Sequence, residues 1–289
     1  MKFYNLIKRR TVPALLLCSL VSVAFGQKVD SIDLRLHLKI GDKYTLTSIT
    51  DAVSSSDIQG KTISFNQKQI ANYLVSVDSL LHGGLTRISY KLQSFSFTIT
   101  SKSMEVHIDS RGLSKCYGST KTAEDIAASE SVHVAQDIGL SFWTDLNENA
   151  GVIRSNIDTV YNKKNNSEEM IKGNGKQVIQ TVSFAGYPIK INDSWKGIGF
   201  LNNEGKAISG KANFTLKSLG KKTAVINSEI NDWGDIEDAS IIAHYSGVHK
   251  IDIVSGLTME TTYKSNMEAN QKVNPFKSNS ILTVKLTKL

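Results

Sequence analysis

The sequence predicts a mainly β chain of α+β class: a curved antiparallel sheet or open barrel in two similar halves, with a helical segment between them. Three observations predict it. Apolar and polar residues alternate with a period of two through most of the chain, which puts one face of each strand in a core and the other in water. Short turns rich in Gly, Asn and Asp separate the alternating runs. Residues 121–149 instead carry apolar side chains at four-residue spacing, the mark of a helical face.

Residues 1–26 read as a cleavable export signal. Lys2, Lys8, Arg9 and Arg10 precede an apolar run centred on Leu15, Leu16 and Leu17, and Ala24 and Gly26 put small residues where a signal peptidase reads. The mature chain then begins at Gln27, and the protein is expected in the periplasm or outside the cell. The apolar run falls short of the roughly 20 residues a membrane span needs. Cys18 follows Leu17, where a lipobox requires a small residue. No later segment is apolar enough to cross a membrane as a helix.

The first β-rich half spans 27–120. Leu34, Leu36, Leu38 and Ile40 alternate with Arg35, His37 and Lys39; Gly41-Asp42 turns the chain, and 43–49 returns, which reads as a hairpin. Ala71, Tyr73, Val75 and Val77 form the next strand, and His82-Gly83-Gly84 turns into Ile88, Tyr90 and Leu92. Phe95, Phe97 and Ile99, and then Val106 and Ile108, extend the meander. The connection, 121–175, opens with a helix between Thr122 and Asn147: Thr122 is a capping residue, and Val134, Ile138 and Phe142 share a face. Polar residues 162–175 follow as a loop or short helix. The second half, 176–289, resumes the strands, and 27–289 is expected to form one compact unit.

The halves echo each other. Leu38-Lys39-Ile40-Gly41-Asp42-Lys43-Tyr44 parallels Ile189-Lys190-Ile191-Asn192-Asp193-Ser194-Trp195. Asn accepts the positive φ that Gly takes freely. Tyr44 and Trp195 are therefore expected to anchor equivalent positions in two related halves.

These hairpins, with Gly247, Asp252 and Ser255-Gly256-Leu257 near the end, resemble an uncharacterised family of exported Bacteroidota β-rich proteins. Its members carry repeated Gly-Asp-x-Trp/Tyr hairpins and a later Gly-x-x-x-x-Asp-x-x-Thr-Gly stretch, in which Ser255 here replaces Thr. The resemblance implies no catalytic residue. In element order the chain is more distantly similar to periplasmic lipoprotein carriers.

Composition and motifs narrow the chemistry. The net charge of +7 includes four positive charges in residues 1–26, which hold no acid, leaving +3 for the mature chain. Its basic residues are dispersed, which argues against a nucleic-acid partner. The mature chain holds one cysteine, Cys116, so no internal disulfide supports it. Residues 205–212 approach a phosphate loop, but Ala212 stands where Ser or Thr must bind Mg²⁺. His244 and His249, five apart on one strand, face opposite sides, and no histidine pair has zinc spacing. Asp232, Asp235, Glu237 and Asp238 around Trp233 read as a solvated acidic loop, with calcium as the rival. No catalytic, cofactor or metal residue is assigned. The expected role is a non-enzymatic envelope protein holding a lipid-like or other apolar ligand. An envelope scaffold, binding another protein, and a hydrolase are the alternatives.

Overall fold

The computed structural model describes residues 31–58, 61–102, 104–110, 112–117, 138–156, 182–203, 206–236, 239–271 and 276–289. They form thirteen strands: β1 (Lys43–Ile58), β2 (Lys61–Leu81), β3 (Leu85–Ser101), β4 (Glu105–Asp109), β5 (Gly112–Tyr117), β6 (Ser141–Leu146), β7 (Val152–Ser155), β8 (Ser194–Asn203), β9 (Lys206–Leu219), β10 (Thr223–Ile236), β11 (Ala239–Asp252), β12 (Thr258–Gln271) and β13 (Phe276–Lys288). All pair antiparallel, in the order β5-β4-β3-β2-β1-β13-β12-β11-β10-β9-β8, with β6 also on β3 and β7 on β6. Among the described residues β8 and β5 do not pair with each other, so the sheet is unclosed.

The alternation read from sequence becomes one buried face. Tyr44 and Leu46 of β1, Ala71, Tyr73, Val75 and Val77 of β2, and Val284 and Leu286 of β13 are all buried. In β3 the buried positions change parity between Leu92 and Phe95. A register shift there, where Leu92 faces Tyr73 and Ser94 faces Asn72, inserts one extra residue and returns Phe95 and Phe97 to the inner face. The two runs read as separate strands are therefore one strand. Its first part pairs with β6 and its last part with β4.

Two expectations are corrected. Among the described residues there is no helix. The C-terminal part of the expected helix is β6, and its N-terminal part lies outside the described residues. Gly139 takes φ 83°, which ends any helix, and Phe142, Thr144 and Leu146 alternate as buried strand residues. The aromatic, β-branched run Phe142-Trp143-Thr144 favours strand over the weaker four-residue pattern.

The second correction concerns residues 34–40, which do not pair back on β1. They run as an extended strap, with a single bridge from Ile32 to Ile189. The side-chain alternation survives: Leu34, Leu36 and Leu38 are buried, while His37 and Lys39 are exposed. Amphipathicity fixed the faces of the segment, but it could not choose a hydrogen-bonding partner.

The paired turns share one hydrogen-bond pattern. Asp42 N–H donates to the Lys39 carbonyl (3.1 Å), Gly41 N–H to Val77 (2.8 Å), and Val77 N–H to Asp42 (3.0 Å). Correspondingly, Asp193 N–H donates to Lys190 (3.0 Å), Asn192 N–H to Leu216 (2.7 Å), and Leu216 N–H to Asp193 (3.1 Å). Gly41 has φ 88° and Asn192 φ 74°, at the third turn position where a type II turn needs a left-handed residue. Tyr44 then faces Val75 as Trp195 faces Phe214, and both aromatics are buried.

The buried residues divide into two apolar clusters. One gathers Leu36, Leu38 and the inner faces of β1–β4, β6 and β13. The other gathers Leu34, Val182, Phe184, Ile189 and the inner faces of β8–β12. The strap, contributing Leu34 to one and Leu36 and Leu38 to the other, joins them.

Candidate functional site

Beneath the strap lies an apolar cavity of about 60 Å³. Leu36 and Leu38 form its cover. Its floor is built by Leu46, Val75, Val77, Ile88, Val284 and Leu286, with Leu146 and Ala150 at one side and Gly256, Leu257, Thr258 and Thr261 at another. No lining residue is charged. Tyr44 and Tyr90 add their rings to the wall. Tyr90 stacks on Phe142 at 5.0 Å, and burial pushes its phenol well above the ordinary range. Tyr44 donates to the Asp42 carboxylate (3.3 Å), and burial together with that carboxylate pushes it up to about 12. The Asp42 carboxylate also pairs with Lys288 at 2.9 Å.

The strap is held at a few points. Leu36 N–H donates to the Glu148 carbonyl (2.7 Å) and His37 N–H to Ser255 (2.8 Å). Arg35 reaches Asp33, Glu148 and the Gly186 carbonyl. Gly256, at φ 72°, lies directly beneath: a Cβ there would overlap the carbonyl of Arg35. This gives the Gly-x-x-x-x-Asp-x-x-Ser-Gly stretch a geometry. The Asp252 carboxylate accepts from Ser255 N–H (3.0 Å) and Oγ (2.6 Å), shaping the turn that delivers Gly256 to the strap.

The first glycine of that stretch belongs to a second feature. A Cβ on Gly247 would stand 2.5 Å from both Ser228 Oγ and Tyr263 Cε1, so only glycine lets those side chains meet. Ser228 Oγ lies 2.8 Å from His249 Nε2, and His249 Nδ1 lies 3.1 Å from Thr261 Oγ1. His249 and Thr261 are each 1% exposed. Phe214 and Tyr263 pack edge-on against the imidazole. Burial holds His249 down to about 3, so its ring is neutral. Ser228, His249 and Thr261 form a buried polar chain along β10, β11 and β12, and Thr261 also belongs to the cavity wall.

A third feature pins β6 to β3. Asp145, with a side chain 0% exposed, accepts from Arg87 Nε (2.7 Å) and Nη2 (3.0 Å) and pairs with Arg154 (2.8 Å). The Arg87 guanidinium stacks 3.8 Å over Trp143. Its hydrogen bonds hold the Asp145 carboxyl below the ordinary range. Outside, an open groove of about 430 Å³ crosses the exposed face, with Asn66, Asn266 and Asn279 among uncharged amides there.

The residues singled out in sequence are spread widely. Tyr44 lines the cavity, whereas Trp195 seals the second cluster: its indole N–H donates to the Ser183 carbonyl (2.7 Å) and its ring stacks on Phe214 at 5.7 Å. His244 is exposed and His249 buried, on opposite faces as expected. His82 sits exposed in a turn, and His107 bonds Thr98 at 2.7 Å. Residues 206–212 of the near phosphate loop fall on β9. The expected acidic loop is corrected in part: Asp232, Trp233 and Asp235 continue β10, paired with Ala243, Ile242 and Ser240. Glu237 and Asp238, and the signal residues Ala24, Gly26 and Gln27, lie outside the described residues. Among the described residues no group of three His, Cys, Asp or Glu could hold a metal, and no helix is long and apolar enough to cross a membrane.

No protein-family model matches the chain, and no curated protein does. A solved structure of lipid–protein interactions in lipovitellin is similar over 86% of this chain at 7% identity and TM-score 0.46, and this chain spans 25% of that one. The translocator domain of the autotransporter NalP from Neisseria meningitidis is similar over 95% of each chain at 9% identity and TM-score 0.25. An outer membrane channel from Pseudomonas putida F1 is similar over 88% of this chain and 98% of its own, at 10% identity and TM-score 0.26.

Proposed function

We propose that this protein is a non-enzymatic, exported envelope protein that holds a lipid-like or other apolar ligand between its strap and its sheet. The observation that carries the reading is the uncharged, apolar cavity covered by Leu36 and Leu38. Binding sites for small apolar molecules are concave and apolar, with few polar groups to orient the occupant. At about 60 Å³ the covered cavity is smaller than the engineered cavity of about 150 Å³ that admits benzene. A longer ligand therefore enters by displacing the strap, whose leucines vacate their own volume. The strap is suited to this: it carries one sheet-like bridge and a few backbone hydrogen bonds, whereas each strand beneath it is paired along its length. The kinship with exported Bacteroidota β-rich proteins is part of the same proposal.

Native mass spectrometry of protein purified from an envelope fraction tests the reading. An adduct of lipid mass that disappears in a Val75→Phe variant, which fills the cavity, is the expected result. Bare protein, together with no fluorescence response of N-phenyl-1-naphthylamine, would overturn it.

A further inference from the structure

Tyr90 lines the cavity beneath the strap and is 6% exposed. Its ring stacks on Phe142, a place that phenylalanine would fill equally well. The hydroxyl is the difference, and among the described residues it has no hydrogen-bond partner. Burial raises this phenol with no hydrogen bond contributing. The other buried hydroxyls of the wall are engaged: Tyr44 donates to the Asp42 carboxylate (3.3 Å), and Thr261 Oγ1 lies 3.1 Å from His249 Nδ1. Elsewhere, the side-chain oxygens of Thr144 and Asn149 are sealed in protein without a partner. The Tyr90 oxygen is not sealed in this way, so it borders the open volume that its residue lines.

We infer that the ligand is an apolar chain carrying an uncharged acceptor oxygen, as in a ketone, ester or ether, and that this oxygen takes the Tyr90 proton. The inference rests on the apolar-ligand reading above and adds its polar end. A buried donor left without a partner destabilises the protein that holds it, and a ligand oxygen within reach restores the bond that water would otherwise make. The ligand must be neutral, because no residue lining the cavity is charged and an unpaired buried charge is strongly disfavoured. Tyr90, on β3, stands at one end of the cavity, with β2, β1 and β13 between it and the β12 wall. The oxygen therefore sits at one end of the ligand, and the apolar remainder runs over Val75, Leu46 and Val284.

Displacement of N-phenyl-1-naphthylamine from the full protein at pH 8 separates the outcomes, with decan-2-one, decane and the decanoate anion as competitors of equal carbon number. The preference for ketone over decane is expected to fall about ten-fold from the wild type to Tyr90→Phe, the worth of one hydrogen bond. Decanoate should compete more weakly than the ketone. Tyr90→Phe should melt no lower than the wild type, because it keeps the ring stack and loses no bond within the protein. A preference unchanged to within about two-fold, decanoate competing as well as the ketone, or a clearly lower melting temperature of Tyr90→Phe overturns the inference while leaving an apolar site standing. A probe that never binds overturns both.

Discussion

The carbonyl of Arg35 occupies the place where a Cβ at position 256 would stand. Strap and turn are thus in backbone contact, and Gly256→Ala cannot be accommodated without lifting the strap. The variant also forces alanine to φ 72°. It should lose about 1–3 kcal/mol of stability yet bind N-phenyl-1-naphthylamine more strongly than the wild type. Thermal melting and fluorescence titration check the two signs together. A variant that is merely less stable, with unchanged probe binding, would mean that the strap is no cover.

The paired aromatics should differ in cost. Trp195 is stacked on Phe214 and bonded through its indole to Ser183, so Trp195→Ala should cost about 3–5 kcal/mol. Tyr44→Ala borders a cavity that already exists, and its hydroxyl faces the Asp42–Lys288 pair. Its loss should be smaller, on the order of 2–3 kcal/mol. Urea unfolding of both variants measures the difference. Equal melting of both with the wild type would undo their role as anchors.

His249 makes stability depend on acid. Its folded value of about 3 lies below its unfolded value of 6.5. The unfolded chain therefore binds the proton first. The stability tied to the neutral ring is complete above the unfolded value and falls as pH drops, by up to about 1.4 kcal/mol per unit. Unfolding at pH 7, 6 and 5 should reveal this slope, and His249→Gln should flatten it.

Asp145 adds a separate acid limb. Its carboxyl is depressed by Arg87, so its contribution is present above the ordinary carboxylate value of about 4 and is lost below it. Asp145→Ala removes the shared partner of Arg87 and Arg154 and should cost about 1–3 kcal/mol, the worth of the lost charged hydrogen bonds. Proteolysis should first cut near β6 and β7. Wild-type protease resistance in this variant would show that β6 needs no pin.

Much of the fold was legible because burial alternates. Leu34, Leu36 and Leu38, the inner faces of β1–β3 and the burial of Tyr44 and Trp195 follow from the period of two and from turn chemistry. Strand partners were not legible. Nothing in residues 34–40 distinguishes a hairpin arm from a strap, because both need the same alternation. The polar chain was hidden for a related reason. Ser228, His249 and Thr261 are 21 and 12 residues apart in sequence and meet only because β10, β11 and β12 are neighbours. Gly247 and Gly256 were visible as glycines in a motif, but the atoms they leave room for lie on other strands.

The pairing of β1 with β13, Tyr44 facing Lys288, also orders events in time. Each neighbouring pair of strands within β1–β4, and within β8–β13, is joined by a connection of a few residues and can zip locally. The seam between the two sets must bring together residues more than two hundred positions apart, and such loop closure is slow. Until it forms, β1 and β13 are both open edges, able to template pairing with other chains. The seam is therefore the step at which assembly of the single sheet competes with aggregation.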